Sequence, residues 1–252
     1  MTKVYFIQHS CFLIEFDDKY LLFDYFNKES ISDIVSFHGS LPSLDKNKKL
    51  YIFASHSHKD HFTIDVLNFI KDYNVFYIFS KDIKLDKKYL KQIGFDLKNR
   101  DKIKFVSADN KYKIDDMVVE TLRSNEAGVA FVVNTNGQSI FHAGDLNWWN
   151  VEGRGELYGE QYGREYKRAL HHILNRHFDI GFVVLDTRLT EDGYFLGLDY
   201  FIKNIDCDNI FPMHMWGKYD MIERFKSRPD IVNLKDRVVD ITSENMLFEI
   251  ED

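Results

Sequence analysis

The 252-residue chain has two cysteines, three prolines and no excess of positive charge. It has no apolar run near the roughly 18 residues that a membrane helix needs. Each shortage excludes a class. Two thiols, Cys11 and Cys207, cannot build a disulfide framework and point to a reducing compartment. With 33 Lys+Arg against 40 Asp+Glu, a formal net charge of −7 argues against a chain that grips nucleic acid by overall electrostatics. Residues 1–16 form an apolar stretch broken by Gln8, His9, Ser10 and Glu15, which suits a strand better than a secretory signal. No tract rich in Pro or Gly and no repeat period divides the sequence. The expectation is one domain over residues 1–252, soluble and cytoplasmic, with neither a membrane nor a nucleic acid as partner.

What is present is a large apolar complement. Hydrophobic residues make up 44% and aromatics 15%, enough for a sizeable core and too much for a disordered chain. Val4–Ile7, Cys11–Phe16 and Tyr20–Phe23 predict a strand meander at a sheet edge. Leu50–Ala54 and Val75–Phe79 predict further strands. Val66, Leu67, Phe69 and Ile70 recur at helical spacing, so a helix is expected to start near Thr63. Residues 81–120 mix both charges on solvated faces, with short apolar segments at Ile103–Val106 and Met117–Thr121. Val129–Asn134 and Ser139–His142, joined through Asn136-Gly137, carry the clearest hairpin signal. Tyr166, Leu170, Ile173 and Leu174 mark one face of a helix. Phe182–Leu185 and Ile210–Met213 predict late strands, with Phe201–Ile205 in the helix between them.

The chemistry concentrates in His56-Ser57-His58-Lys59-Asp60-His61, four metal-capable side chains in six residues where a strand ends. Alternation in an extended chain puts His56 and His58 on one side, and a turn can bring Asp60 and His61 to a second position. Imidazole and carboxylate donors suit Zn²⁺ or Fe²⁺ in a hydrolytic centre without thiolate. The bland alternative is a His-rich surface turn. No G-x-S-x-G elbow offers a serine nucleophile.

His56-x-His58-x-Asp60-His61 resembles the HxHxDH signature of the metallo-β-lactamase superfamily, and other stations follow in order. Asp24 resembles the early Asp that braces the metal loop without coordinating. Asp145, in Phe141-His142-Ala143-Gly144-Asp145, resembles the Asp that bridges two metals, and His214, in Pro212-Met213-His214, the late His of the second site. The resemblance implies an α/β fold, an αβ/βα four-layer sandwich of two mixed β-sheets with helices on the outer faces. It also implies metal ligands His56, His58, Asp60, His61, Asp145 and His214, with Zn²⁺ as cofactor (one or two ions; Fe or Mn as alternatives).

One station departs. The family usually places a third histidine for the first metal between the cluster and the bridging Asp, and no histidine lies between His61 and His142. The corresponding segment reads Thr121-Leu122-Arg123-Ser124-Asn125-Glu126-Ala127-Gly128. Glu126 or Ser124 is left to substitute, water to complete the site, or the site to stay empty.

The function implied is a metal-dependent hydrolase acting on a small-molecule ester, lactone, amide or phosphodiester, with Asp60 as catalytic carboxylate. The competing readings are iron-dependent redox or oxygen chemistry on the same fold, and a non-catalytic metal-binding domain. Further residues carry two readings each. His9 is a polar residue of a strand connection or faces the metals; His142 is a buried neutral histidine or supports Asp145. Trp148, Trp149 and Trp216 flank the proposed ligands, and at least one is expected to line a substrate pocket. Arg154, Arg164 and Lys218 are anion contacts or ordinary surface charge. His171, His172 and His177 fall on a helical pattern.

Overall fold

The structure, a computed structural model, describes residues 1–27 and 36–251. The chain divides into two units, Met1–Ser107 with Glu244–Asp252, and Ala108–Ser243.

The first unit is built on a seven-stranded mixed sheet of β1 (Thr2–Gln8), β2 (Cys11–Glu15), β3 (Lys19–Phe23), β4 (Lys49–Ala54), β5 (Asn74–Ser80), β6 (Ile103–Val106) and the chain's last strand, β13 (Met246–Ile250). The order is β13-β1-β2-β3-β4-β5-β6. Pairing is antiparallel from β13 to β3 and parallel from β3 to β6. β3 and β4 are almost wholly buried, as strands covered on both faces must be, so their apolar runs are unbroken. The expected meander is present, but β13 covers β1 and takes the edge. Its alternating half-exposed pattern is short and gives no strong sequence signal. The helix expected near Thr63 is a 3-10 segment, Ile64–Lys71. The Thr63 side chain caps nothing, only Val66 and Leu67 are buried, and the segment is tied down by the Tyr77 hydroxyl donating to the carbonyls of those two residues. The short α1 (Lys87–Gln92) has the cap the earlier segment lacks, with Asp86 accepting from Tyr89 N at 2.7 Å.

The second unit is built on a six-stranded mixed sheet of β7 (Asn110–Ile114), β8 (Met117–Arg123), β9 (Val129–Thr135), β10 (Gln138–His142), β11 (His177–Val184) and β12 (Asp206–Met213), in the order β12-β11-β10-β9-β8-β7. Asn136 (φ 50°) and Gly137 (φ 78°) make the β9–β10 turn, which needs two left-handed residues to match the strand twist. β10, β11 and β12 run parallel. The intervening helices are α2 (Glu156–Leu170) and α3 (Leu196–Asn204), and α4 (Asp220–Lys226) follows β12. His171 and His172 lie in a 3-10 turn after α2, but His177 opens β11 instead of continuing a helix. Its imidazole pairs with Asp206 at 3.0 Å, directly across the register. Among the described residues no helix is long and apolar enough to cross a membrane.

α2 approaches its neighbours through glycine. A Cβ on Gly163 would run into the Trp148 ring, 2.6 Å from Nε1. That ring cannot swing away easily, because Nε1 donates to Gly159 O at 2.9 Å and Lys167 covers its face. Gly163→Ala gains about 1 kcal/mol of helix propensity and meets an overpacking cost of about 1–3 kcal/mol. Net destabilisation is expected, measured as a lowered denaturant midpoint with unchanged slope.

Candidate metal centre

In the first unit the site residues stand at the C-terminal ends of neighbouring parallel strands, the edge where open α/β sheets place ligands. β3 delivers Asp24 and β4 delivers Ser55 and the histidine cluster. Because Phe23 and Phe53 are in register, Asp24 meets Ser55 directly. Asp24 N donates to Phe53 O, and the Asp24 carboxylate accepts from Ser55 N (2.7 Å), Ser55 Oγ (2.7 Å) and His61 Nδ1 (2.7 Å). A tight turn, in which His61 N and Phe62 N donate to His58 O, folds His61 back toward His56, with ring centroids 4.2 Å apart. His58 is exposed and its ring lies 4.5 Å from that of His56. Ser57 N donates to Asp82, which fixes the loop from the end of β5.

His9, in the β1–β2 turn, is buried, with Nε2 3.4 Å from Asp60 Oδ2 and its ring 5.8 Å from that of His61. His9, Asp60 and His61 each offer a donor atom within 4.8 Å of the others.

In the second unit Asp145 follows β10 and His214 follows β12, again at C-terminal strand ends. His214 Nε2 lies 3.4 Å from Asp145 Oδ1. His142 Nδ1 accepts from Gly144 N at 3.1 Å, so this buried histidine shapes the turn that presents Asp145. Trp149 Nε1 donates to Asp145 O at 3.0 Å, and the rings of Trp149 and Trp216 lie 6.0 and 5.5 Å from His214. Trp148 packs against α2, as described above. Arg164 pairs with Glu160 along α2, and Arg154 lies over Tyr158.

The segment that lacks the third histidine sorts its own candidates. The Asn125 amide is committed to backbone: Nδ2 donates to Asn147 O (2.8 Å) and Tyr162 O (3.1 Å), and Oδ1 accepts from Asn147 N (3.3 Å). Ser124 Oγ accepts from Glu126 N. These bonds tie the β8–β9 loop to the loop after Asp145, and Glu126 and Asp145 offer donor atoms within 4.8 Å of each other. Of these side chains, Glu126 is the one that offers a donor atom beside a proposed ligand.

Hydrogen bonding assigns the imidazole tautomers, and this tests whether the residues suit a metal. Ser55 Oγ gives its single proton to Asp24, so His56 Nδ1, 2.9 Å away, must donate to Ser55 Oγ. His61 Nδ1 donates to Asp24, and His214 Nδ1 donates to Asp186 at 2.9 Å. In all three rings Nδ1 is thereby engaged, Nε2 is the nitrogen that would meet a metal, and the Nδ1 partner sets ring orientation. Asp186 carries no distinguishing signal in the sequence. Burial works to raise its pKa, but donation from His214 and Arg188 overrides this and holds it well below the usual carboxylate range. Nitrogen and carboxylate donors without sulfur fit a divalent cation such as Zn²⁺, Fe²⁺ or Mn²⁺. The two cysteines are buried, and burial pushes both thiols up, away from the thiolate a metal would need. Asp24, His9 and His214 also hold left-handed backbone (φ 46°, 51° and 68°), strain of the kind that collects at functional sites.

Asp24→Ala removes acceptors from Ser55 and His61 together. It is expected to weaken metal affinity about 10–100-fold, read by competition with a chromogenic chelator.

The model of the beta-lactamase superfamily domain matches residues 3–152. With this match over more than half its length, the chain belongs to the metallo-β-lactamase superfamily, and its two mixed sheets with helices are of that fold class. Solved structures of the same fold include Igni18, a metallo hydrolase from Ignicoccus hospitalis (15% identity, TM-score 0.58, covering 100% of each chain). The metallo-beta-lactamase fold protein YhfI from Bacillus subtilis is 13% identical, with TM-score 0.59 over 99% of this chain and 100% of that one. CmlA, a diiron beta-hydroxylase from Streptomyces venezuelae, is 12% identical, with TM-score 0.54 over 85% of this chain and 45% of that one. At these identities the likeness shows fold, not activity. No curated protein matches the chain.

Proposed function

We propose that the chain is a metal-dependent hydrolase of a small-molecule ester, lactone, amide or phosphodiester. The observation that carries this reading is the set of three imidazoles held as Nδ1–H tautomers by Ser55, Asp24 and Asp186. The family model supports the reading, since its match takes in both the His56–His61 cluster and Asp145. His56, His58, Glu126 and Asp145 would hold a first ion, and Asp60, His61, Asp145 and His214 a second. A divalent cation bound there supplies Lewis acidity and a water acidified to a pKa of about 7.

The chain's own residues do the rest. Asp60 orients the attacking water and accepts its proton, and His9, 3.4 Å away, shares that proton through its Nε2. Trp149 and Trp216 give the His214 side an aromatic wall that keeps bulk water off the reacting group. Hydrolysis of a panel of esters, lactones, amides and phosphodiesters by zinc-loaded protein tests the reading. Turnover that chelation abolishes and Zn²⁺ restores is expected. No turnover of any member by the fully loaded protein would move the assignment to a non-catalytic metal-binding domain.

One observation favours a second reading, iron-dependent oxygen chemistry. Placing Glu126 beside Asp145 makes the donor set richer in hard oxygen than three histidines would, and the fold is shared with a diiron hydroxylase. Protein purified from iron-replete cells with a visible absorption band would support it. Colourless, zinc-loaded protein is expected under the hydrolytic reading.

A further inference from the structure

Beyond β11 and β12 the chain continues a one-to-one match that no strand assignment captures. Leu185 N donates to Met213 O (2.9 Å), Asp186 accepts from the His214 ring (2.9 Å), Thr187 Oγ donates to Met215 O (3.0 Å), and the Arg188 guanidinium covers the Trp216 ring at 4.2 Å. Four consecutive residues thus hold four consecutive residues. The held segment needs it: His214, Trp216 and Gly217 all have left-handed backbone (φ 68°, 53° and 77°), which persists only when its surroundings over-determine it. Asp186 itself is fully buried and is fixed from the far side by Arg188. Arg188 donates from its backbone N (2.8 Å) and Nε (3.1 Å) to Oδ1, and from Nη2 (2.6 Å) to Oδ2. The Asp186 oxygen that receives His214 is therefore held by the edge of a planar guanidinium that also covers the aromatic ring two residues past His214.

We propose that Leu185–Arg188 is a brace that sets the His214 imidazole, with Asp186 as a positioning residue and Arg188 as its anchor. This deepens the metal-centre reading and rests on it for the role of His214. The brace acts before any ligand arrives: it imposes the Nδ1–H tautomer, fixes the ring plane beside Asp145, and holds the left-handed turn. Thr187 and Leu185 fix the backbone; Asp186 and Arg188 fix the side chain.

The test uses ¹⁵N-histidine spectra of the metal-free protein alongside Zn²⁺ titration of the wild type, Asp186→Ala and Arg188→Met. In the wild type His214 is expected as the Nδ1–H tautomer. In Asp186→Ala it should shift toward the Nε2–H tautomer that free imidazole prefers, with Zn²⁺ affinity at one site reduced about 10–100-fold. Arg188→Met keeps a contact with Trp216 and removes the anchor from a half-exposed position, so it folds even where Asp186→Ala does not. It should show the same two changes to a smaller degree. An unchanged His214 tautomer and unchanged Zn²⁺ affinity in both variants would overturn the brace. A tautomer shift in a chain that binds no Zn²⁺ at all would uphold the brace and overturn the metal reading.

Discussion

Asp60→Asn is expected to lower kcat about 10²–10⁴-fold, the usual contribution of a positioned acid–base group, on whichever panel substrate the wild type turns over. The substitution keeps the size of the side chain and its ability to meet His9, so the β1–β2 turn and the fold should survive. What it removes is the anionic oxygen that can take a proton. Asp60 is half-buried with 17% of its side chain exposed, and sits 3.4 Å from His9 Nε2 and 3.9 Å from His61 Nε2. An amide there is also a poorer ligand, so part of the loss can come through metal content. Elemental analysis of the purified variant separates the two: the loss should persist after correction for bound metal. Wild-type turnover per metal ion in Asp60→Asn would remove Asp60 from the chemistry.

The second large effect belongs to Glu126. Two inequivalent metal sites are expected, because the Asp60–His61–Asp145–His214 set has two imidazoles with carboxylate-fixed tautomers, from Asp24 and Asp186. The other set places one of its histidines, His58, in an exposed position and relies on a carboxylate from a loop. Glu126→Ala should therefore abolish the weaker step of a calorimetric Zn²⁺ titration and leave the tighter one in place. Losing a direct ligand should cost at least the roughly 10–100-fold that follows from losing an outer hydrogen-bond partner. Glu126→His should restore the step and shift preference from Fe²⁺ toward Zn²⁺, since imidazole is the softer donor. Two equally tight sites, both indifferent to Glu126→Ala, would show that this loop contributes no ligand.

Some of this was legible in the sequence for plain physical reasons. The parallel strands β3, β4 and β5 announce themselves because burial keeps polar side chains to their end residues and leaves apolar runs between. The Asn136-Gly137 hairpin shows because only such residues take its two left-handed conformations without cost. The His56–His61 cluster is dense enough to be seen locally. Asp145 and His214 are different: each is a single residue at a strand end, visible only through family resemblance. Asp186 had neither aid. In Leu185-Asp186-Thr187-Arg188 nothing local distinguishes a buried brace from a solvated turn, and its partner lies 28 residues on. The Trp148 ring shows the converse. Proximity in sequence to Asp145 suggested a pocket role, whereas Gly159, Gly163 and Lys167 of α2 claim the ring for packing. The 3-10 segment after Thr63 shows that apolar spacing alone does not choose between helix types when the cap bond is missing.

The most direct measurement is element-specific anomalous scattering from crystals of the protein purified without added metal. The account predicts metal at bonding distance, about 2.0–2.2 Å, from His61, Asp145 and His214, with weaker signal beside His58 and Glu126. Metal bound elsewhere on the chain, or no transition-metal signal near any of these side chains, would contradict it.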